Sequence, residues 1–272
     1  MKFEEQPFRR TAGPKGQPFS YLCAKLLNMF RHTGKGRTFL HNLKLASMLS
    51  GVAGLVNITG VLSLGVLTTN VTGHFAFFAE QLFLRGYAHA LTFLFYILCF
   101  LLGAFVSSFM IEVVSKRKRM STYVVPVLIE IVLLLAVAAS GSWSAGFPIL
   151  LACLLLFAMG LQNALVTRVS QSVVRTTHLT GLFTDLGIEL SQLFFYREPG
   201  ERTKLRRAIL LKLMIIGCFF LGGTVGGFVH IYFGLKTLLL AVAVLLVALW
   251  YDRLLFRYHY IKRKFERKHL QG

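Results

Sequence analysis

Apolar residues run through this chain in long unbroken stretches, not at the spacing of an amphipathic helix or a half-buried strand. Six stretches, 45–66, 88–111, 122–140, 147–166, 208–228 and 231–250, approach or exceed the roughly 20 residues that carry a helix across a bilayer. The segment ALTFLFYILCFLLGAF (90–105) is apolar around its whole circumference and so calls for lipid or a deep core on every side. The pattern predicts an all-α, polytopic membrane helix bundle of about six crossings.

Two segments break this pattern. TNVTGHFAFFAEQ (69–81) and THLTGLFTDLGIE (177–189) open with small polar residues and turn apolar. They are too short to cross on their own. Each predicts a short discontinuous helix, with a Thr hydroxyl, that of Thr69 or Thr72 in the first, capping its free backbone N–H groups. As helix starts they would present partial positive charge to an anion, a carboxylate or a polar solute. As loops at the membrane edge they would need Thr and Gly only for turn chemistry. Both readings are open at this level.

The two segments belong to a longer correspondence. Gly54-Leu55-Val56-Asn57 matches Gly160-Leu161-Gln162-Asn163, Thr69-Asn70-Val71-Thr72-Gly73 matches Thr177-His178-Leu179-Thr180-Gly181, and FLLGAFVSSF (100–109) resembles FLGGTVGGFV (220–229). Three matches in one order predict an internal duplication. The chain then divides into a basic tail with an amphipathic helix (1–44), a first repeat (45–140), a second repeat (146–252) and a basic tail (253–272).

Composition agrees: 55% of the residues are hydrophobic and only 15% charged. The net charge of +19 is concentrated in the first 44 residues, KRKR at 116–119, the stretch 168–207 and the tail from Arg253. This distribution is the positive-inside pattern, and it argues against nucleic acid as a partner. It predicts both termini in the cytoplasm, the basic clusters on anionic lipid, and three crossings per half. The halves are then inverted three-helix repeats, an arrangement found in secondary transporters with midplane sites, and it predicts that the two Thr-Gly segments face each other near the middle of the molecule. Expected partners are membrane lipid, a small solute and another copy of the chain.

Polar residues within apolar spans are costly and draw functional suspicion. The candidates for binding are Asn57, Thr69, Asn70, Thr72, Gly73, His74, Gln162, Asn163, Thr177, His178, Thr180 and Gly181; those for proton or ion coupling are Glu130, Asp185 and Glu189. The same Asn, Gln and His residues also serve structure alone, by bonding across helices. Cys23, Cys99, Cys153 and Cys218 have no metal or redox spacing. No metalloprotease or serine-hydrolase motif is present, so neither an enzyme nor a cofactor or metal site is expected.

AMGLQNALVTRV (158–169) with VVRTTHLTGLFTDLGIEL (173–190), and SGVAGLVNITGVLSLGVLTTNVTGHF (50–75), closely resemble the signatures of the YoaK-like family, uncharacterised multi-pass membrane proteins found mainly in bacteria. The resemblance runs from Ala46 to the last apolar stretch and implies a bacterial inner-membrane setting. It implies no substrate. Many relatives carry an acid where Asn57 stands and an Asn after each Thr-Gly, where this chain has His74 and Leu182. The resemblance therefore implies a different coupling if that acid moves protons. The residues support two functions: a small-solute transporter or permease with its site between the repeats, or a non-transporting scaffold or regulatory subunit docking through its basic tails.

Overall fold

The computed structural model describes residues 39–116, 124–141, 146–170, 179–196 and 198–250. The terminal tails, the KRKR loop beyond Lys116 and the first residues of the second Thr-Gly segment lie outside them. So does the amphipathic helix expected before residue 39.

Among the described residues every regular element is helical. In chain order these are α1 (Phe39–Leu64), α2 (Val71–Phe83), α3 (Tyr87–Lys116), α4 (Val124–Ala139), α5 (Pro148–Ser170), α6 (Leu179–Gln192) and α7 (Pro199–Phe233), then a 3₁₀ turn (Gly234–Thr237) and a helix α8 over 238–250. Four helical stretches, Leu43–Leu64, Tyr87–Val114, Pro148–Arg168 and Gly200–Trp250, are long and apolar enough to cross a membrane, and α4 is a shorter apolar helix. The last stretch is interrupted at the 3₁₀ turn, where Gly234 takes a φ of +53° that suits residues without a Cβ. The interruption thus falls five residues later than the apolar pattern implies. The buried stripe of α8, Leu238, Ala241, Val242, Leu245 and Ala248, then joins the same core as Leu45–Val56 of α1.

Two helix pairs form the frame, α1 with α7 and α3 with α5. Both cross where glycine removes the side chain. A Cβ on Gly54 would collide with the Phe219 carbonyl, and one on Gly222 with the Gly51 carbonyl. In the other pair, a Cβ on Gly160 would collide with the Phe100 carbonyl and one on Gly103 with that of Phe157. Close backbone approach of this kind is how membrane helices associate where no hydrophobic force drives them together.

These contacts also give direction. Gly51 lies by Cys218, Gly54 by Phe219, and Ser63 is hydrogen-bonded to His230 at 2.7 Å, so α1 and α7 run parallel. Gly103 lies by Phe157, and Glu112 pairs with Arg168, so α3 and α5 are parallel too. Gln162 reaches Leu49 and Leu155 lies against Gly60, so α1 and α5 are antiparallel. Ala136 and Ala139 share a cleft with Phe147 and Leu150, which places the end of α4 beside the start of α5. The bundle therefore has a charged end, with the Glu112–Arg168 pair, the starts of α1, α4 and α7 and the ends of α3 and α5. Its far end carries Ser63 and His230.

Candidate functional site

The chain leaves α1 at Gly65, whose φ of +69° stops the helix, and folds back along it. The Val66 amide donates to Gly60 O at 3.3 Å, and Thr68 rests on the space that Gly60 leaves. Asn57, two turns before the end of α1, receives both the Thr69 hydroxyl at 3.0 Å and the Thr69 amide at 3.3 Å on its Oδ1. One asparagine thus holds a loop that would otherwise leave backbone polar groups unpaired within the span.

The expected cap residue differs. Thr69 is engaged by Asn57 and Thr72 is exposed on the first turn, whereas Asn70 is the N-cap of α2, its Oδ1 accepting from the Gly73 amide at 3.0 Å. Asn at this position reaches the third amide of the helix as well as Ser or Asp does. His74 is buried and donates from Nε2 to Leu67 O at 2.7 Å, stacked on Phe93 at 6.0 Å and edge-on to Tyr96 at 5.4 Å. That bond leaves Nδ1 as an acceptor. His74 Nδ1 and Thr68 Oγ1 are buried and unpartnered here. Asn57, Thr69, Asn70 and Gly73 are otherwise occupied in shaping the turn.

The second Thr-Gly segment is built differently. Thr180 is exposed inside α6, Gly181 is half-buried, and Leu182 and Leu186 face the core. Thr177 and His178 lie outside the described residues. Asp185 is exposed. Glu189 is mostly buried and pairs with Lys212 of α7 at 2.5 Å.

Contrary to expectation, the two short helices do not meet at the middle of the molecule. α2 packs on α3 and α6 on α7. Since α2 follows the end of α1, α6 precedes the start of α7, and α1 and α7 are parallel, the two lie at opposite ends of the bundle. His74 and Leu182 are nevertheless both interior, at 2% and 7% exposure.

What the interior holds is a set of polar side chains that periodicity does not single out. Ser50, Ser107, Glu130 and Gln162 are all fully buried. Gln162 of α5 reaches Leu49, the neighbour of Ser50 on α1, and Asn163 stands beside Gln162. Gln162 Nε2 donates to Leu49 O at 2.9 Å, which fixes the amide and leaves its Oε1 free. Gln162 Oε1, Asn163 Oδ1, both carboxyl oxygens of Glu130 and the hydroxyls of Ser50 and Ser107 are buried with no hydrogen-bond partner. An unpaired buried polar group costs about 1–3 kcal/mol, and an uncompensated carboxylate more. Ser50 and Ser107 were not legible as candidates because an isolated serine in an apolar run carries no periodic signal. A cleft of about 360 Å³ at the α4–α5 junction is apolar apart from Ser140 and is lined by none of the candidate residues.

Residues 45–251 match the family described as protein of unknown function (DUF1275). The chain is also similar to a protein of Bacillus subtilis (strain 168) described as "UPF0700 transmembrane protein YoaK", with 26% identity over 174 residues, 63% of this chain and 77% of that protein. No solved structure matches the chain.

Proposed function

The chain belongs to the DUF1275 family of proteins of unknown function, and on that premise we propose that this membrane protein is a small-solute transporter of the bacterial inner membrane. The observation that carries the reading is the set of unpaired polar side chains inside an otherwise apolar bundle. A structural protein gains nothing from burying Glu130, Gln162 and two serines without partners, whereas a solute passing through the bundle would satisfy them in turn. The substrate site comprises Gln162, Asn163, Ser50 and Ser107, with Glu130 as the coupling carboxylate. Glu189, whose Oε2 is also buried and unpaired, gates the charged end by making and releasing Lys212. That end faces the cytoplasm, with both termini.

The paired crossings support duplication. Gly54 corresponds to Gly160 and Gly51 to Phe157, each 106 positions on, while Phe100 corresponds to Phe219 and Gly103 to Gly222, each 119 positions on. The spacing shifts the third sequence match by one residue, aligning CFLLGAFVSS (99–108) with CFFLGGTVGG (218–227) and pairing Gly103 with Gly222, not Gly223. In this reading the halves are inverted copies, and each lends its third helix to the first helix of the other. α2 and α6 then cap opposite ends as the two gates of an alternating-access device.

The test is solute flux into proteoliposomes holding the full chain, with Gln162→Leu and Glu130→Gln compared with the parent. Flux by the parent that falls at least tenfold in both variants supports transport. A folded parent that moves no small solute beyond empty liposomes removes it and leaves the scaffold reading.

A further inference from the structure

Spacing along the chain gives the cysteines no redox signal, but the fold brings two of them together. Cys99 of α3 and Cys153 of α5 are free, half-buried thiols, and the side chain of Cys153 is hydrogen-bonded to that of Cys99. Both pack on the cluster of Val66, Tyr96, Ala152 and Leu156. The helix frame explains the meeting. Cys99 stands one turn before Gly103 and Cys153 one turn before Phe157, and a Cβ on Gly103 would collide with the Phe157 carbonyl. A disulfide needs Cα atoms about 4.4–6.8 Å apart. Parallel helices that touch backbone to backbone meet that need more readily than helices held apart by large side chains. Cys218 is the contrast: it lies on α7, in the other helix pair, with its carbonyl against Gly51. Two thiols in contact need no third group to form a disulfide.

The position selects the oxidant. Both cysteines lie inside apolar stretches long enough to span a membrane, Tyr87–Val114 and Pro148–Arg168, where a charged, water-soluble reagent is costly to bring. Phe95, Leu98 and Leu102, the helical neighbours of Cys99, are exposed, so the pair borders lipid. Flat rings adjoin it. Tyr96 neighbours Cys153 and stands edge-on to His74 at 5.4 Å and to Phe93 at 6.0 Å. A planar two-electron acceptor dissolved in the bilayer suits both the approach and the aromatic surroundings.

We propose that Cys99 and Cys153 form a dithiol–disulfide couple oxidised by a lipid-soluble quinone. Two S–H bonds break and one S–S bond forms, and the two electrons and two protons reduce the quinone to the quinol. The disulfide ties α3 to α5 covalently. The couple uses none of the residues of the transport reading and stands or falls apart from it.

The test takes the full chain, reduced and reconstituted in phosphatidylcholine liposomes, and adds decylubiquinone, whose fully substituted ring resists thiol addition. The expected result is loss of two hydrogens from the intact mass, a peptide joining Cys99 to Cys153 after digestion without reductant, and one quinol for each disulfide, with the bond reopened by dithiothreitol. Cys99→Ser and Cys153→Ser should each abolish the joined peptide and the quinol, whereas Cys218→Ser should change neither. Oxidised glutathione in the aqueous phase is expected to cross-link roughly tenfold more slowly or not at all. Size-exclusion confirms that the serine variants are folded, and the mass and peptide map of the parent decide the question if one is not. A parent whose two thiols still react fully with an alkylating reagent after quinone treatment overturns the proposal and leaves the pair as packing residues. A disulfide that joins Cys23, Cys218 or two chains instead overturns it too, as does cross-linking by oxidised glutathione at the rate of the quinone.

Discussion

At the scale of single residues, the first Thr-Gly segment owes its shape to two asparagines and a histidine. Asn70→Ala removes the α2 cap and is expected to cost about 0.5–2 kcal/mol, read as a lower unfolding midpoint and faster amide exchange at Thr72 and Gly73. His74→Phe keeps the ring packing on Phe93 and Tyr96 but leaves Leu67 O without its donor, an expected loss of about 1–3 kcal/mol measured by the same midpoint. The types of these residues could be read as candidates from sequence. Their division of labour could not, because whether Thr69 caps a helix or serves Asn57 depends on a loop folding back along α1.

At the scale of elements, glycine decides which helices pair. Gly160→Val would drive a branched side chain into the Phe100 carbonyl and separate α3 from α5, and the expected outcome is loss of the monodisperse protein on size-exclusion after detergent extraction. Gly217→Ala is the control: nothing lies within 4 Å of a Cβ there, and alanine in a helix interior is favoured over glycine by about 0.8–1.0 kcal/mol, so the unfolding midpoint should hold or rise. The apolar runs marked the spanning helices to within a few residues. The run through 208–250 is the instructive exception, since α7 continues to Phe233 and only the backbone at Gly234 shows where it stops.

At the scale of the whole molecule, parallel α1–α7 and α3–α5 pairs put α2 and α6 at opposite ends. Arg85, exposed in the turn after α2, and Arg202, exposed on the first turns of α7, then report opposite sides of the membrane. In a cysteine-free background, Arg85→Cys and Arg202→Cys in sealed vesicles of one orientation should label with an impermeant thiol reagent from opposite faces. Labelling of both from one face would refute the arrangement. The expectation that the two Thr-Gly steps face each other came from treating them as a pair, which symmetry allows. An inverted pair is free to sit anywhere along its axis, and the packing puts one at each end.

The membrane class of the protein, its helical content and the approximate span of each long helix follow from the sequence by itself, because lipid leaves an apolar 20-residue run no other way to satisfy its backbone. Which helices touch, where α2 and α6 lie, and that Ser50, Ser107, Glu130 and Gln162 are all buried were decided by the tertiary structure alone. Those facts depend on register between helices far apart in the chain, and register is set by side-chain and glycine contacts that no single segment contains.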